Sequence, residues 1–211
     1  MENVYTLVIV VLSYLIGTFP SGYLITNYAT GKDIRQEGTG SIGAANTLDI
    51  TGNKMLSFAV FLLDFLKGAI AVVMVNTFFY RQTYKIALAV VFVVLGHIIN
   101  VFMKMKGGRG LATAFGATFV ITPFAGLLWC LVWVISSKLF KKNVHYANIL
   151  ASLLSPIMLI NTPSMIINNF SFVNIDNITT FKIMFVMVNV LILIKHKEYF
   201  KEFIEEFKGN S

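Results

Sequence analysis

Long apolar runs, each closed by a short polar segment, set the rhythm of this chain. Residues 4–26, 55–79, 86–103, 111–140, 146–160 and 178–194 are almost wholly apolar. A helix needs about 20 apolar residues to cross the bilayer hydrocarbon, so these runs read as membrane helices. The 111–140 run is too long for one upright crossing, and Thr122-Pro123 interrupts it, so it divides near Pro123. The pattern predicts an all-α polytopic membrane protein with seven spans, or six if that stretch does not divide. These spans form one membrane-embedded domain over residues 1–211. The first run lacks a basic leader and a small-residue cleavage site, and reads as a retained helix rather than a signal peptide.

Composition agrees: 56% of residues are hydrophobic, 13% are charged and the mean hydropathy is +0.75, outside the range of soluble domains. With the N-terminus outside and seven crossings, thirteen of the 17 Lys and Arg fall on the inner side. Only Arg81, Lys85 and Lys182 lie outside, and Lys67 sits within a span. The positive-inside rule then places the N-terminus outside and the C-terminus in the cytoplasm. The net charge of +7 is a topology signal, and no nucleic-acid partner is expected. Cys130 is the single cysteine, so a disulfide framework and a cysteine metal site are both ruled out.

Chemistry concentrates in the inner segments. Residues 38–46, GTGSIGAAN, follow Lys32 and Arg35 and can gather backbone N–H groups around an anion. KMKGGRG at 104–110 opens the fourth span, joining glycines, the positive end of a helix and an arginine. An anion site and a flexible turn are the two readings of that loop. In the first span, Gly17, Pro20 and Gly22 suit either close helix packing or a kink shaping lateral entry for a lipid-like chain. Asp64 and Lys67, three residues apart, form a self-neutralising pair, a support for the polar loop, or an anion ligand. His97 reads as structural. The last segment continues as an amphipathic helix carrying Phe200, Phe203 and Phe207, with His196 where it leaves the membrane between Lys195 and Lys197. No metal cluster, Walker-type loop, Ser–His–Asp set or His–Asp acyltransferase spacing is present, so neither cofactor nor metal is expected.

Together, SYLIGTFPSGYLI, DIRQEGTGSIGAAN, DFLKGA, GHIINVFMKMKGGRGLAT and the late HKE resemble the bacterial acyl-phosphate:glycerol-3-phosphate acyltransferase family (the PlsY type) over most of the chain. The resemblance implies seven spans, both substrates bound at the cytoplasmic side, and acyl transfer from acyl phosphate to glycerol 3-phosphate, giving lysophosphatidate for phospholipid synthesis. It implies Thr39, Arg109 and His196 as catalytic. It implies Gly38, Gly40, Ser41, Gly43, Asn46, Asp49, Lys104, Gly107, Gly108, Asn148 and Tyr199 as substrate-binding. Several of these depart from the family pattern: Thr39 for serine, Ser41 for asparagine, Ala45 for threonine and Arg109 for lysine. Asn148 and Ala151 stand at serine positions, and Tyr199 replaces an asparagine. Asp49 stands where the family has a phosphate-binding arginine, turning a ligand into a like charge. A paralogue using a less anionic acceptor is therefore the second reading. A non-catalytic scaffold or transporter is the third, which the one-sided placement of polar residues disfavours.

Overall fold

In the computed structural model, residues 1–79, 82–139 and 144–209 are described, with side chains up to residue 204. Arg81, Lys141 and Lys142, and the side chains of Phe207 and Lys208, lie outside the described residues. The described residues are helical, with no strand among them. In chain order the helices are α1 (Glu2–Gly17), α2 (Ser21–Thr30), α3 (Ala44–Thr51), α4 (Lys54–Phe78), α5 (Thr83–Ile98) and α6 (Leu111–Ile121). They continue as α7 (Pro123–Leu139), α8 (Val144–Asn161), α9 (Ser164–Asn169), α10 (Ile178–Lys195) and α11 (Lys197–Gly209). Five stretches are long and apolar enough to cross a membrane: Glu2–Thr30, Lys54–Phe78, Thr83–Met103, Val144–Asn161 and Ile178–Lys195. The apolar helices α6 and α7 are shorter.

The helices pair α4 with α6, α1 with α5 and α7 with α8, and α10 closes the bundle against α5 and α8. Small residues let the backbones touch. A Cβ on Gly68 would lie 2.0 Å from the Thr113 carbonyl oxygen, and one on Gly96 would lie 2.2 Å from that of Tyr14. Where lipid surrounds the bundle, this close packing replaces the hydrophobic drive that works in water. Val90, Val93, Val94, Ala117 and Val188 fill the interior.

Two boundaries differ from the sequence reading. The first apolar run is two helices, because Pro20 has no N–H to continue the ladder and the chain leaves the helix at Thr18–Pro20. The freed carbonyls are met from elsewhere: Lys67 Nζ donates to Phe19 O at 2.8 Å, and Asn100 Nδ2 to Thr18 O at 2.6 Å. The third run stops as α-helix at Ile98, and a single tighter turn, Val101–Met103, leads into the basic loop. The break at Pro123 is present, with Thr122 in an extended conformation between α6 and α7.

The bundle has two distinct ends. At one, Asp176 accepts from the Thr83 N–H at 2.9 Å and caps α5, while Ile121 O accepts from the Phe172 N–H at 2.9 Å. Glu2 also pairs there with Lys85 at 2.8 Å. Segments 31–53, 99–110 and 194–199 gather at the other end.

Candidate functional site

Two cavities open at that second end. A polar one of about 530 Å³ is lined by Gly38, Thr39, Gly40, Ser41, Gly107, Gly108, Arg109 and Tyr199. Arg35, Lys106, Lys195, Lys197 and Glu198 share its wall. An apolar one of about 420 Å³ runs between α4, α6, α7, α8 and α10, past Phe61, Phe115, Trp129, Trp133 and Phe185. Ser41 and Arg109 line both cavities and mark where they meet. The two glycine-rich loops, separated by some sixty residues of chain, thus share one pocket.

The first loop is folded around Asn46. Its Nδ2 donates to the carbonyls of Ile34, Glu37 and Ser41 at 2.9–3.2 Å, and its Oδ1 accepts from the Thr39 N–H at 2.9 Å. Gly38 (φ +55°) leaves no room for a side chain, since its Cβ would meet Asn46 Oδ1 at 2.3 Å. Asn46 therefore works as the scaffold of the loop. The cradle is also narrower than expected: the N–H groups of Thr39 and Gly40 are spent within the loop, the latter on Glu37 O. Among the described residues, the amides of Ser41, Gly107 and Arg109 keep no internal partner and remain for an anion.

Arg35 is fixed before any ligand arrives. Asp33 accepts from its Nε at 2.9 Å and its Nη2 at 2.6 Å, and the guanidinium lies 5.1 Å from the Tyr23 ring. The same contact holds the Asp33 carboxyl down to about 2.

The second loop leaves α5 through Lys104 and Met105, both at positive φ (55° and 62°), an uncommon backbone for residues with side chains. It then lies against His97, whose carbonyl accepts from the Gly108 N–H at 3.0 Å. His97 is 3% exposed, and its Nδ1 lies 3.2 Å from Lys67 Nζ. Lys67 in turn pairs with Asp64 at 2.7 Å, and Ser21 donates to the same carboxylate oxygen. Three ammonium protons thus meet three acceptors: Asp64, Phe19 O and His97. Asp64 and Lys67 thus form the buried self-neutralising pair, and that pair also supports the second loop from beneath through His97.

Arg109 closes the site from the α6 side. Its Nη2 donates to the Tyr199 hydroxyl at 2.9 Å, and the Tyr199 ring stacks on His145 with centroids 3.8 Å apart. Sequence reasoning missed His145. The Lys and Glu residues flanking His196 were the available signal for the rest of that wall.

The remaining predicted residues lie further off. His196 is fully buried behind the wall, its Nδ1 donating to Ile192 O at 2.8 Å, and it lines neither cavity. Burial lowers its pKa, and the charge of Arg109 adds to that. Its Nε2 has no hydrogen-bond partner among the described residues. Gly43 and Asn148 line the apolar cavity, and Asn148 Oδ1 accepts from Trp133 Nε1 at 2.7 Å. Lys104 and Asp49 are exposed and line neither cavity.

Known proteins are similar to this chain over most of its length. A family model described as glycerol-3-phosphate acyltransferase matches residues 7–206. The glycerol-3-phosphate acyltransferase of Pelagibacter ubique (strain HTCC1062) is 35% identical over 195 residues, 92% of each chain. That of Aliarcobacter butzleri (strain RM4018) is 32% identical over 204 residues, covering 91% of this chain and 94% of its own. A crystal structure of PlsY (YgiH), an integral membrane glycerol 3-phosphate acyltransferase in its glycerol 3-phosphate form, aligns with a TM-score of 0.78. It is 29% identical and spans 96% of this chain and 93% of that one. The lysophosphatidic acid form of the same protein gives 0.76 and 28%. This chain belongs to the glycerol-3-phosphate acyltransferase family.

Proposed function

We propose that this protein transfers an acyl chain from acyl phosphate to glycerol 3-phosphate, forming lysophosphatidate for phospholipid synthesis. The observation that carries this reading is the junction at Ser41 and Arg109 between a basic, amide-lined cavity and an apolar one. Such a junction suits a molecule with a phosphate at one end and a long chain at the other. The acyl chain lies between α6, α7, α8 and α10, its phosphate rests on Ser41 and the amides of Gly107 and Arg109, and glycerol 3-phosphate enters from the polar side.

The acceptor hydroxyl attacks the carbonyl carbon, the bond from that carbon to the phosphate oxygen breaks, and inorganic phosphate leaves. The hydroxyl proton passes to a phosphate oxygen, so no protein nucleophile or base is required. Arg109, held by Tyr199, supplies a donor where charge develops on the carbonyl oxygen. The five cations of the polar cavity hold two anions within reach of each other, which removes much of the entropic barrier. The concentration of Lys and Arg residues at this end supports a cavity at the cytoplasmic face of the plasma membrane.

The test is purified protein given palmitoyl phosphate, with and without glycerol 3-phosphate. Release of phosphate and lysophosphatidate only with both substrates supports the reading. No turnover from palmitoyl phosphate, together with turnover from palmitoyl-CoA, overturns the choice of donor. A second reading, a less anionic acceptor, draws on Tyr199: its phenol occupies Arg109 in the acceptor wall. Turnover with glycerol but not glycerol 3-phosphate would select it.

A further inference from the structure

The loop that joins α5 to α6 carries a surface that the transfer step does not use. Its backbone is tied down before any partner arrives. Asn100, fully buried, donates through Nδ2 to Thr18 O, and its Oδ1 accepts from the Phe102 N–H at 3.0 Å. The Asn100 carbonyl accepts from the N–H groups of Met103 at 3.1 Å and Met105 at 2.8 Å, and the Tyr14 hydroxyl donates to Ile99 O at 2.8 Å. Yet this fixed loop turns large apolar side chains outward. Phe102 is 64% exposed and Met105 59%, with Ile99 and Val101 exposed beside them. Apolar groups held in the open mark an interaction surface.

Their place along the chain says what covers them. The apolar stretch Thr83–Met103 is long enough to cross a membrane. Phe102 and Met103 are its last residues, so the loop stands where hydrocarbon gives way to headgroups. Lys104 and Lys106 follow at once, both exposed and without an ion pair among the described residues. Apolar side chains can sink among acyl chains at that level while ammonium groups reach up to phosphates. A zwitterionic headgroup brings its own cation to the two lysines, whereas an anionic one brings only the phosphate. The charge therefore favours anionic lipid.

We propose that residues 99–106 form a docking edge for anionic phospholipid headgroups, with Phe102 and Met105 seated among the acyl chains and Lys104 and Lys106 on the phosphates. Lys104 and Phe102 line neither cavity, while Met105 and Lys106 also border the polar one. One loop thus meets the membrane on one side and carries Gly107, Gly108 and Arg109 into the polar cavity on the other. Docking of this kind stands apart from acyl transfer and does not depend on it.

Val101 is exposed and takes the probe: Val101→Cys, in a Cys130→Ser chain, is labelled with bimane. The full chain is placed in nanodiscs of equal parts phosphatidylglycerol and phosphatidylcholine, with bromine on the acyl chains of one lipid or the other to quench the probe by contact. One lysine beside an anionic surface enriches anionic lipid about fivefold, so brominated phosphatidylglycerol is expected to quench several-fold more strongly. Lys104→Gln/Lys106→Gln should bring the two lipids level while quenching by lipid persists. Added inorganic phosphate should change nothing, and a preference that it erases would mean the lysines serve the free anion instead. Equal quenching by both lipids before the lysines are changed, or a preference that survives their loss, overturns the proposal. So does quenching by aqueous iodide alone, or protection from lipid and iodide together, which would mean a second copy covers the loop. None of these readings uses turnover, so they still decide the question if no acyl phosphate is consumed and the proposed reaction fails.

Discussion

A side chain at residue 108 would collide with His97: a Cβ on Gly108 would lie 2.0 Å from His97 Nε2. The ring cannot give way, because it is buried and held at Nδ1 by Lys67. The second loop reaches its position only because the residue there is glycine. Gly108→Ala should lower kcat/KM about 100-fold, the usual loss when a positioning loop is displaced by an ångström. Initial rates on folded, purified variant are the check, and near-normal activity would mean the loop has another resting place.

Lys67 is the next point of sensitivity. Removing it in Lys67→Met leaves the Asp64 carboxylate buried without its cation, which should cost about 3–5 kcal/mol of stability. The double variant Asp64→Asn/Lys67→Met should recover most of that loss. Thermal unfolding in detergent measures both, and equal losses in single and double variants would refute the pairing as the cause.

Tyr199→Phe keeps the stack on His145 but removes the acceptor of the Arg109 hydrogen bond. Loss of one such bond is worth about 1 kcal/mol, so kcat/KM should fall roughly fivefold. No fall in Tyr199→Phe, with a large one in Tyr199→Ala, would assign the effect to the ring instead.

Asp49 sits exposed on α3, outside both cavities, where relatives are expected to carry arginine. Asp49→Arg should lower the KM for glycerol 3-phosphate several-fold through removal of a like charge and gain of a long cation. The KM for the acyl donor should not move. Unchanged acceptor kinetics would place the acceptor away from α3.

Burial keeps His196 neutral to lower pH than in the unfolded chain, where the proton binds near pH 6.5. Below about 6.5 the unfolded state therefore holds more protons, and stability falls as the medium is acidified through that value towards the lower folded pKa. The midpoint of thermal unfolding should drop less steeply between about pH 7 and 5 in His196→Gln than in wild type. Parallel slopes would exclude His196 as the titrating group.

Much of this was legible in the sequence, for definable reasons. Apolar run length and Pro123 located the helices, since both act within a few residues of chain. The meeting of residues 38–41 with 107–109 followed from family resemblance, because no local pattern encodes a contact across sixty residues. Asn46 looked like a ligand, and only its hydrogen bonds show that its amide is consumed by the loop. His196 looked exposed among lysines, yet α10 and α11 meet at it and bury it.

The interruption at Thr18–Pro20 carries a consequence for biogenesis. The partners of its two carbonyls, Lys67 and Asn100, belong to segments synthesised later. The first segment thus enters the bilayer with its backbone unfinished, and it settles only when its successors arrive. A truncated chain ending at residue 53 should show faster amide exchange around residues 18–22 than the full chain, and equal protection in both would dismiss this order of assembly.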